Sequence, residues 1–326
     1  MNYDDEVYGR VSIEDPVILE LMSSDAILRL KGVLQHGITG LIGITRETTR
    51  FEHSVGTMLL VQIMGGSIEE QIAALMHDVS HTAFSHVIDY VFHGHEEQNY
   101  HDAVKEAYIS STNLPSTLAK LGYDWRGFLD EDRFPLLEQP APALCADRID
   151  YFLRDALGLN IASAEKVAWA LSHLKVSSNR IVVDDIEAAR WFGYTYIETD
   201  QTSWANFREV ALYELTAMAI RRGLELGEIQ ESDFWGTDRD LWKKLQGIDD
   251  QTLQGCLGYV TKTTQFAWDE LDSDFVVSTK IRTIDPHVEI SGEVMSLSSV
   301  DSDFDSKRAA YLNQNSGSWP IRIRSS

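Results

Sequence analysis

Residues 67–86 read SIEEQIAALMHDVSHTAFSH. Ser67 followed three positions later by Glu70 predicts a capped helix start, and Ile72, Ala73, Leu75 and Met76 give the helix a buried apolar face. This helix carries the adjacent pair His77-Asp78 near its C-terminal end. His81 follows at i, i+4 from His77, and His86 and Asp89 are spaced i, i+3, so polar groups recur about one turn apart beyond the pair. Seven of the ten histidines fall between positions 53 and 101, a density that solvated faces rarely show. The bland alternative is a structural, hydrogen-bonded histidine cluster.

Two further stretches complete a pattern. Upstream, RFEHSVG at 50–56 opens a predicted helix from His53 to Met64, ended by Gly65-Gly66. Downstream, a predicted buried helix over 144–157 contains CADRIDYFLRD, with Asp147, Asp150 or Tyr151, and Arg154 one turn apart on one side. His53, His77, Asp78 and Asp147 offer two imidazoles and two carboxylates. That mixed donor set suits one divalent transition ion, Mn, Fe, Ni, Co or Zn, with positions left for water and substrate. Hydrolytic chemistry is the expectation.

Elsewhere the apolar spacing predicts two helices over 15–37, broken near Ser23-Ser24-Asp25, a loop over 37–49, and helices at 184–199 and 203–226. The fold class is therefore mainly α. From about 273 the texture changes to Phe275-Val276-Val277, Lys280 to Ile284 and Pro320 to Arg324, which read as strands of a small C-terminal α/β appendage. The expected division is a helical domain at 1–230 and an appendage at 231–326 packed on it. Trp191 and Trp204 read as core, and the acidic runs at 272–275 and 301–305 as solvated surface.

The formal net charge of −23 opposes tight binding of nucleic acid, although a few arginines beside a cation can still reverse the local field for a small anion. Cys145 and Cys256 are too few for a disulfide framework and read as buried and reduced. No stretch has the length and apolarity of a membrane span, and the N-terminal residues lack a signal-peptide pattern, so a cytoplasmic location is expected.

Taken together, RFEHSVG, HDVSHTAFSH, HEEQ and ADRIDYFLRD resemble the HD-domain phosphohydrolases, and more narrowly the branch containing the deoxynucleoside triphosphate triphosphohydrolases. The likeness runs from about Asp15 to about Asp155, and more loosely to about 230. It implies an HD-domain helical core in which His53, His77, Asp78 and Asp147 bind one metal ion. It also implies that His81, His86 and His95 serve the phosphoester chemistry, with Asp89 and Glu96 behind them. His95 is the expected general acid, oriented by Asp89 or Glu96, while His81 touches the phosphate nearest the scissile bond. By the same resemblance Arg50 and Arg148 hold phosphates, Tyr151 and Asp155 contact a deoxyribose, and Gln35 lies near sugar or base, with Mg on the substrate phosphates a further expectation. Core or ion-pair readings stand beside these, including an Asp155–Arg154 pair. The implied partner is a small nucleotide, and assembly into a homo-oligomer is common among such proteins.

Three departures bear on substrate. Ser80 and Thr82 stand where glycines are usual, Arg148 stands where lysine is common, and TSWANFREVALYEL lacks the Arg, Tyr and His run that completes the triphosphohydrolase pocket. The leading expectation is hydrolysis of a deoxynucleoside triphosphate to nucleoside and triphosphate. A nucleotidase or phosphomonoesterase, a catalytically weak nucleotide sensor, and an HD-type oxygenase needing ligands for a second iron are the alternatives.

Overall fold

The computed structural model describes residues 1–94 and 96–324, and helices dominate as the apolar spacing predicts. At the centre lies the helix Arg50–Ile63, buried from Arg50 to Val61 apart from Glu52. It starts three residues ahead of the expected His53, because Thr49 accepts from the Glu52 amide while the Glu52 carboxylate takes the Thr49 amide at 2.8 Å, a closed capping box. The helices Ile68–Met76 and Ala146–Gly158 both pack on it. Gly56 sets how closely the last of these can approach. A Cβ there would come within 1.9 Å of the Arg154 guanidinium and 2.1 Å of the Asp150 carboxylate.

Local sequence explains the other boundaries. Ser67 caps Ile68–Met76 by accepting from the Glu70 amide, but the Glu70 carboxylate turns instead to the Leu136 amide at 2.7 Å and pins the loop before Asp147. The expected pair of helices over 15–37 forms as Pro16–Met22 and Asp25–Arg29, followed by a single 3-10 turn, Leu30–Gly32. Ile186–Thr199 runs into a π-helical turn, Asp200–Trp204, before Phe207–Glu225 begins.

The strands form three small sheets. Asn2–Asp5 pairs antiparallel with Gly9–Ser12. Leu174–Ser177 and Arg180–Val183 make a hairpin through left-handed Ser178 and Asn179, a turn geometry that suits the twist of flanking strands. His287–Ile290 joins that hairpin in parallel at Val183 and Val288, then pairs with Glu293–Ser296. In the third sheet Trp319–Arg324 lies between Gln265–Trp268 and Phe275–Val277. The strand expected at Lys280–Ile284 does not form: residues 278–286 run as an irregular strap, its polar groups bonded to several other segments instead of a neighbouring strand.

Both hydrophobic cores cross position 230. One joins Ile18, Val55, Phe152 and Phe192 to Ile284, Val288 and Phe304; the other joins Ile38, Phe84 and Leu215 to Phe234, Val277 and Trp319. Core side chains from Phe234 to Ile321 thus pack with those of the preceding helices.

Asp200 ties the π-helical turn to this C-terminal part. Its Oδ2 accepts from the Arg282 amide at 3.0 Å and the Tyr311 hydroxyl at 2.9 Å, while Oδ1 is buried without a partner. Burial pushes its carboxyl up to about 7. Because the folded-state value lies above the unfolded one, folding favours the protonated form, and stability is lost as pH rises from about 4 to about 7, by roughly 4 kcal/mol at full ionisation. Asp200→Asn keeps an acceptor oxygen and cannot ionise. Thermal melts across pH 5 to 8 should therefore show the variant gaining on wild type as pH rises; parallel curves would contradict this assignment.

Candidate metal centre

Three helices deliver the four expected metal ligands to one point. His53 lies in the first turn of Arg50–Ile63, His77 caps the end of Ile68–Met76 with Asp78 next to it, and Asp147 sits in the first turn of Ala146–Gly158. The His53 and His77 Nε2 atoms are 3.2 Å apart. Asp147 Oδ1 is 3.0 Å from the first and 3.4 Å from the second. Asp78 approaches the same nitrogens at 3.6 and 3.5 Å.

The outer ring nitrogens decide what those inner atoms can do. Nδ1 of His53 donates to Asp150 Oδ2 at 2.8 Å, and Nδ1 of His77 donates to the Ala74 carbonyl at 2.7 Å. In the neutral rings both Nε2 lone pairs therefore face each other and the carboxylates. A divalent cation resolves that repulsion: ligand bonds of roughly 2.1 Å place neighbouring donors roughly 3.0–3.4 Å apart, close to the spacings seen. The residues fit a metal ion. The same field acts on protons: burial opposes charging His77, but Asp78 and Asp147 outweigh it and push the ring up to about 10. Burial likewise disfavours ionised Asp147, yet hydrogen bonds from His53 and His77 hold its carboxyl below the ordinary range.

Asp150 is itself fixed by Arg154, through Nε at 2.8 Å and Nη2 at 3.0 Å, and Arg154 reaches on to Asp5 at 2.7 Å. The helical spacing of Asp147, Asp150 and Arg154 thus carries one ligand, the support of a second ligand, and the counter-charge of that support.

A cavity of about 490 Å³ opens from the centre, lined by His77, Asp78 and Asp147 together with Arg50, His81 and His86. Arg50 donates to Asp78 at 2.6 Å and to the Ser85 hydroxyl at 3.0 Å, which aims a fixed guanidinium at this space. His81 lies 3.3 Å from Asp78. Burial and the charge of Arg50 lower its pKa to about 3, and burial with Arg50 and Arg282 depresses His86 as well. His86 Nδ1 is 3.0 Å from Asp89, whose carboxyl burial raises to about 6.

Some expected residues sit elsewhere. Glu96 is exposed, accepts from the Ser278 hydroxyl at 2.6 Å, and does not line the cavity; His95 lies outside the described residues. Among the described residues, this part of the chain presents Glu97, His101 and Asp102 to the cavity, the last two from the start of the helix Tyr100–Ser111. His101 stacks on His81 with ring centroids 3.9 Å apart, and Asp78, His81 and His101 form a second cluster of metal-compatible groups. Sequence reading passed over His101, although a His-Asp pair at a helix start was available as a signal.

Asp155 does not reach the cavity. Its carboxylate is taken by His36 Nε2 at 2.8 Å and Trp204 Nε1 at 2.6 Å, while Arg154, its expected alternative partner, is held by Asp150 and Asp5. Tyr151 lines the cavity and hydrogen-bonds the Tyr196 hydroxyl. Arg148 also lines it, but its guanidinium is held by Glu138 at 3.2 Å and the Ala143 carbonyl at 2.6 Å. Gln35 borders a side chamber of about 70 Å³ with His36, Trp204 and Tyr213, and its Oε1 is buried there without a partner.

Comparisons with known proteins agree with this geometry. The HD domain family matches residues 50–155, from Arg50 to Asp155. The metal-dependent phosphohydrolase cns2 of Cordyceps militaris is 36% identical over 296 residues, covering 89% of this chain and 85% of that one. A phosphohydrolase structure from Bacteroides thetaiotaomicron superposes with a TM-score of 0.68 at 16% identity, covering 100% of both chains, which supports the fold. A deoxynucleoside triphosphate triphosphohydrolase, SAMHD1 of Danio rerio, is 29% identical over 105 residues, covering 28% of this chain and 17% of that one. The chain belongs to the HD-domain metal-dependent phosphohydrolases. No helix among the described residues is long and apolar enough to cross a membrane.

Asp150 is where ligand orientation can be tested apart from the ligands. Asp150→Asn removes the charge that holds the Nδ1 proton of His53, and affinity for Mn or Co should fall about 10- to 100-fold in a calorimetric titration. Unchanged affinity would mean that His53 is held by packing alone.

Proposed function

We propose that this phosphohydrolase acts on nucleotides, with deoxynucleoside triphosphates the favoured class and nucleoside and triphosphate the products. The observation that carries the reading is the junction of two spaces. The cavity at the metal donors carries Arg50 and Arg148, and it shares Arg50, His86 and Tyr151 with the chamber that holds Gln35, Trp204 and Tyr213. Phosphate belongs on the charged side. The sugar edge belongs beside Tyr151 and the unpaired Gln35 oxygen, and Trp204 offers a face to an aromatic group.

His53, His77, Asp78 and Asp147 would hold a divalent ion, which would supply Lewis acidity and make a nearby water more acidic. The chain's own groups do the rest. Arg50, anchored on Asp78 and Ser85, neutralises charge developing on the phosphoryl oxygens without having to reorganise. His81, His86 and His101 rest uncharged, because burial and nearby positive charge disfavour their imidazolium forms. A phosphate dianion placed among them reverses that balance and raises their proton affinity, so that one of them is ready to protonate the leaving oxygen. His86 has Asp89 to orient it, and His101 has Asp102 at 3.4 Å.

A second reading, hydrolysis of a nucleoside monophosphate, is favoured by one observation. Arg148 is already satisfied by Glu138 and backbone carbonyls, which leaves fewer cations for a long phosphate chain. Product analysis over dNTPs, NTPs and monophosphates with Mn, Co, Ni or Mg separates the two. Triphosphate release is expected, orthophosphate release supports the second reading, and absence of any nucleotide turnover would overturn both. His77→Ala and Asp147→Ala should each lower turnover by roughly 10³-fold or more, as should EDTA, with the helical circular-dichroism signal retained.

A further inference from the structure

The strap at 278–286 comes from the part of the chain farthest in sequence from the metal ligands, yet Lys280, Ile281, Arg282 and Thr283 all line the catalytic cavity, and Arg308 joins them from the helix Ser302–Asn315. Other charged groups face the same space. Glu97, Asp102, Glu131 and Glu138 are there, but Glu138 pairs with Arg148 and Glu131 with Lys105. Among the described residues, no carboxylate comes within ion-pair distance of Lys280, Arg282 or Arg308. Three cations thus converge on a cavity without a carboxylate in direct ion-pair contact, although Asp200 acts on Arg282 from a distance. Partial burial and the charges of Arg282 and Arg148 also make Lys280 hold its proton less tightly than usual, the mark of positive groups facing one another.

The strap is fixed in place by hydroxyl, carbonyl and amide contacts and by the Asp200 carboxyl, none of them a direct ion pair to its side-chain cations. The Thr279 hydroxyl accepts from Tyr90 at 3.1 Å, the Lys280 ammonium donates to the Glu97 carbonyl at 3.2 Å, and the Arg282 amide donates to Asp200 at 3.0 Å. The Arg282 side chain bonds the Gln98 amide oxygen, and Arg308 donates to the Thr283 hydroxyl at 3.0 Å. Arg282 further borders both the main cavity and the side chamber. A preorganised guanidinium at that junction suits a phosphate oxygen, which it can grip through two donors.

We propose that Lys280 and Arg282, supported by Arg308, form a clamp for the phosphates of the substrate beyond the one at the metal, and so select a polyphosphate over a monophosphate. The clamp supplies from the C-terminal strap the cationic contacts that TSWANFREVALYEL lacks. This deepens the nucleoside triphosphate reading and rests on it for the identity of the ligand, but the clamp itself recognises the phosphate chain.

The test therefore uses inorganic tripolyphosphate and orthophosphate, titrated calorimetrically into the metal-loaded enzyme, with Lys280→Gln, Arg282→Gln and the double variant beside wild type. Tripolyphosphate affinity should fall at least tenfold in the double variant while orthophosphate affinity changes less than threefold, and Arg282→Lys should restore part of the loss. Lys280 is exposed, so Lys280→Gln reports on the clamp even where a change at Arg282 disturbs folding. Equal losses for the two anions, no loss, or no measurable tripolyphosphate binding by wild type would overturn the clamp. Selective loss in an enzyme that turns over no nucleotide would leave the clamp standing and overturn the nucleotide reading instead.

Discussion

The proton on Nδ1 of His53 is held by Asp150, a carboxylate buried between two helices and neutralised by Arg154. That one hydrogen bond fixes the tautomer, points the Nε2 lone pair at His77 and Asp147, and so defines where a cation must sit. The sequence complies with it at several removes. Gly56 leaves room for the Asp150–Arg154 pair, Asp5 on the first strand completes the charge balance, and the one-turn spacing along Ala146–Gly158 puts ligand and support on one face. Charges this deep are tolerated only when paired and hydrogen-bonded, so the N-terminal strand, two helices and the metal ligands stand or fall as one unit.

Around that unit the local field differs from that of the whole molecule. The chain carries a formal net charge of −23, yet Arg50, Arg148, Lys280, Arg282 and Arg308 all line the cavity. Burial, with Arg50 and, at His86, also Arg282 and Lys280, keeps His81, His86 and His101 uncharged at rest. On the proposed reading, an arriving phosphate is drawn by the field that also leaves the histidines ready to gain a proton. Binding and proton transfer draw on the same electrostatics.

Much of this was legible in the sequence, and for a physical reason. A metal ligand set needs particular side chains at helical spacing, and spacing is what a sequence records: His53, His77-Asp78 and Asp147 could be proposed together before their meeting point was known. What depended on loop geometry was not legible. Left-handed His93 and Gln98 shape the chain before Tyr100, so His101 and Asp102 reach the cavity and Glu96 does not. Asp155 was expected at a sugar by resemblance, with Arg154 as the alternative partner, whereas His36 and Trp204 take its carboxylate from segments more than forty residues away. Lys280 to Ile284 has the β-branched texture of a strand, but its donors go to Asp200, Gln98 and Glu97 instead of a neighbouring strand. Tertiary context overrode local preference there, and it carried two cations into the cavity.

The geometry points to one divalent ion between His53, His77, Asp78 and Asp147. Anomalous diffraction from crystals of the purified enzyme, collected on both sides of the absorption edge of the metal found in it, tests this directly. One peak per chain is expected, within bonding distance of His53 Nε2, His77 Nε2, Asp147 and Asp78. A peak held by other residues, or two peaks of equal height with the second at Asp78, His81 and His101, would contradict it.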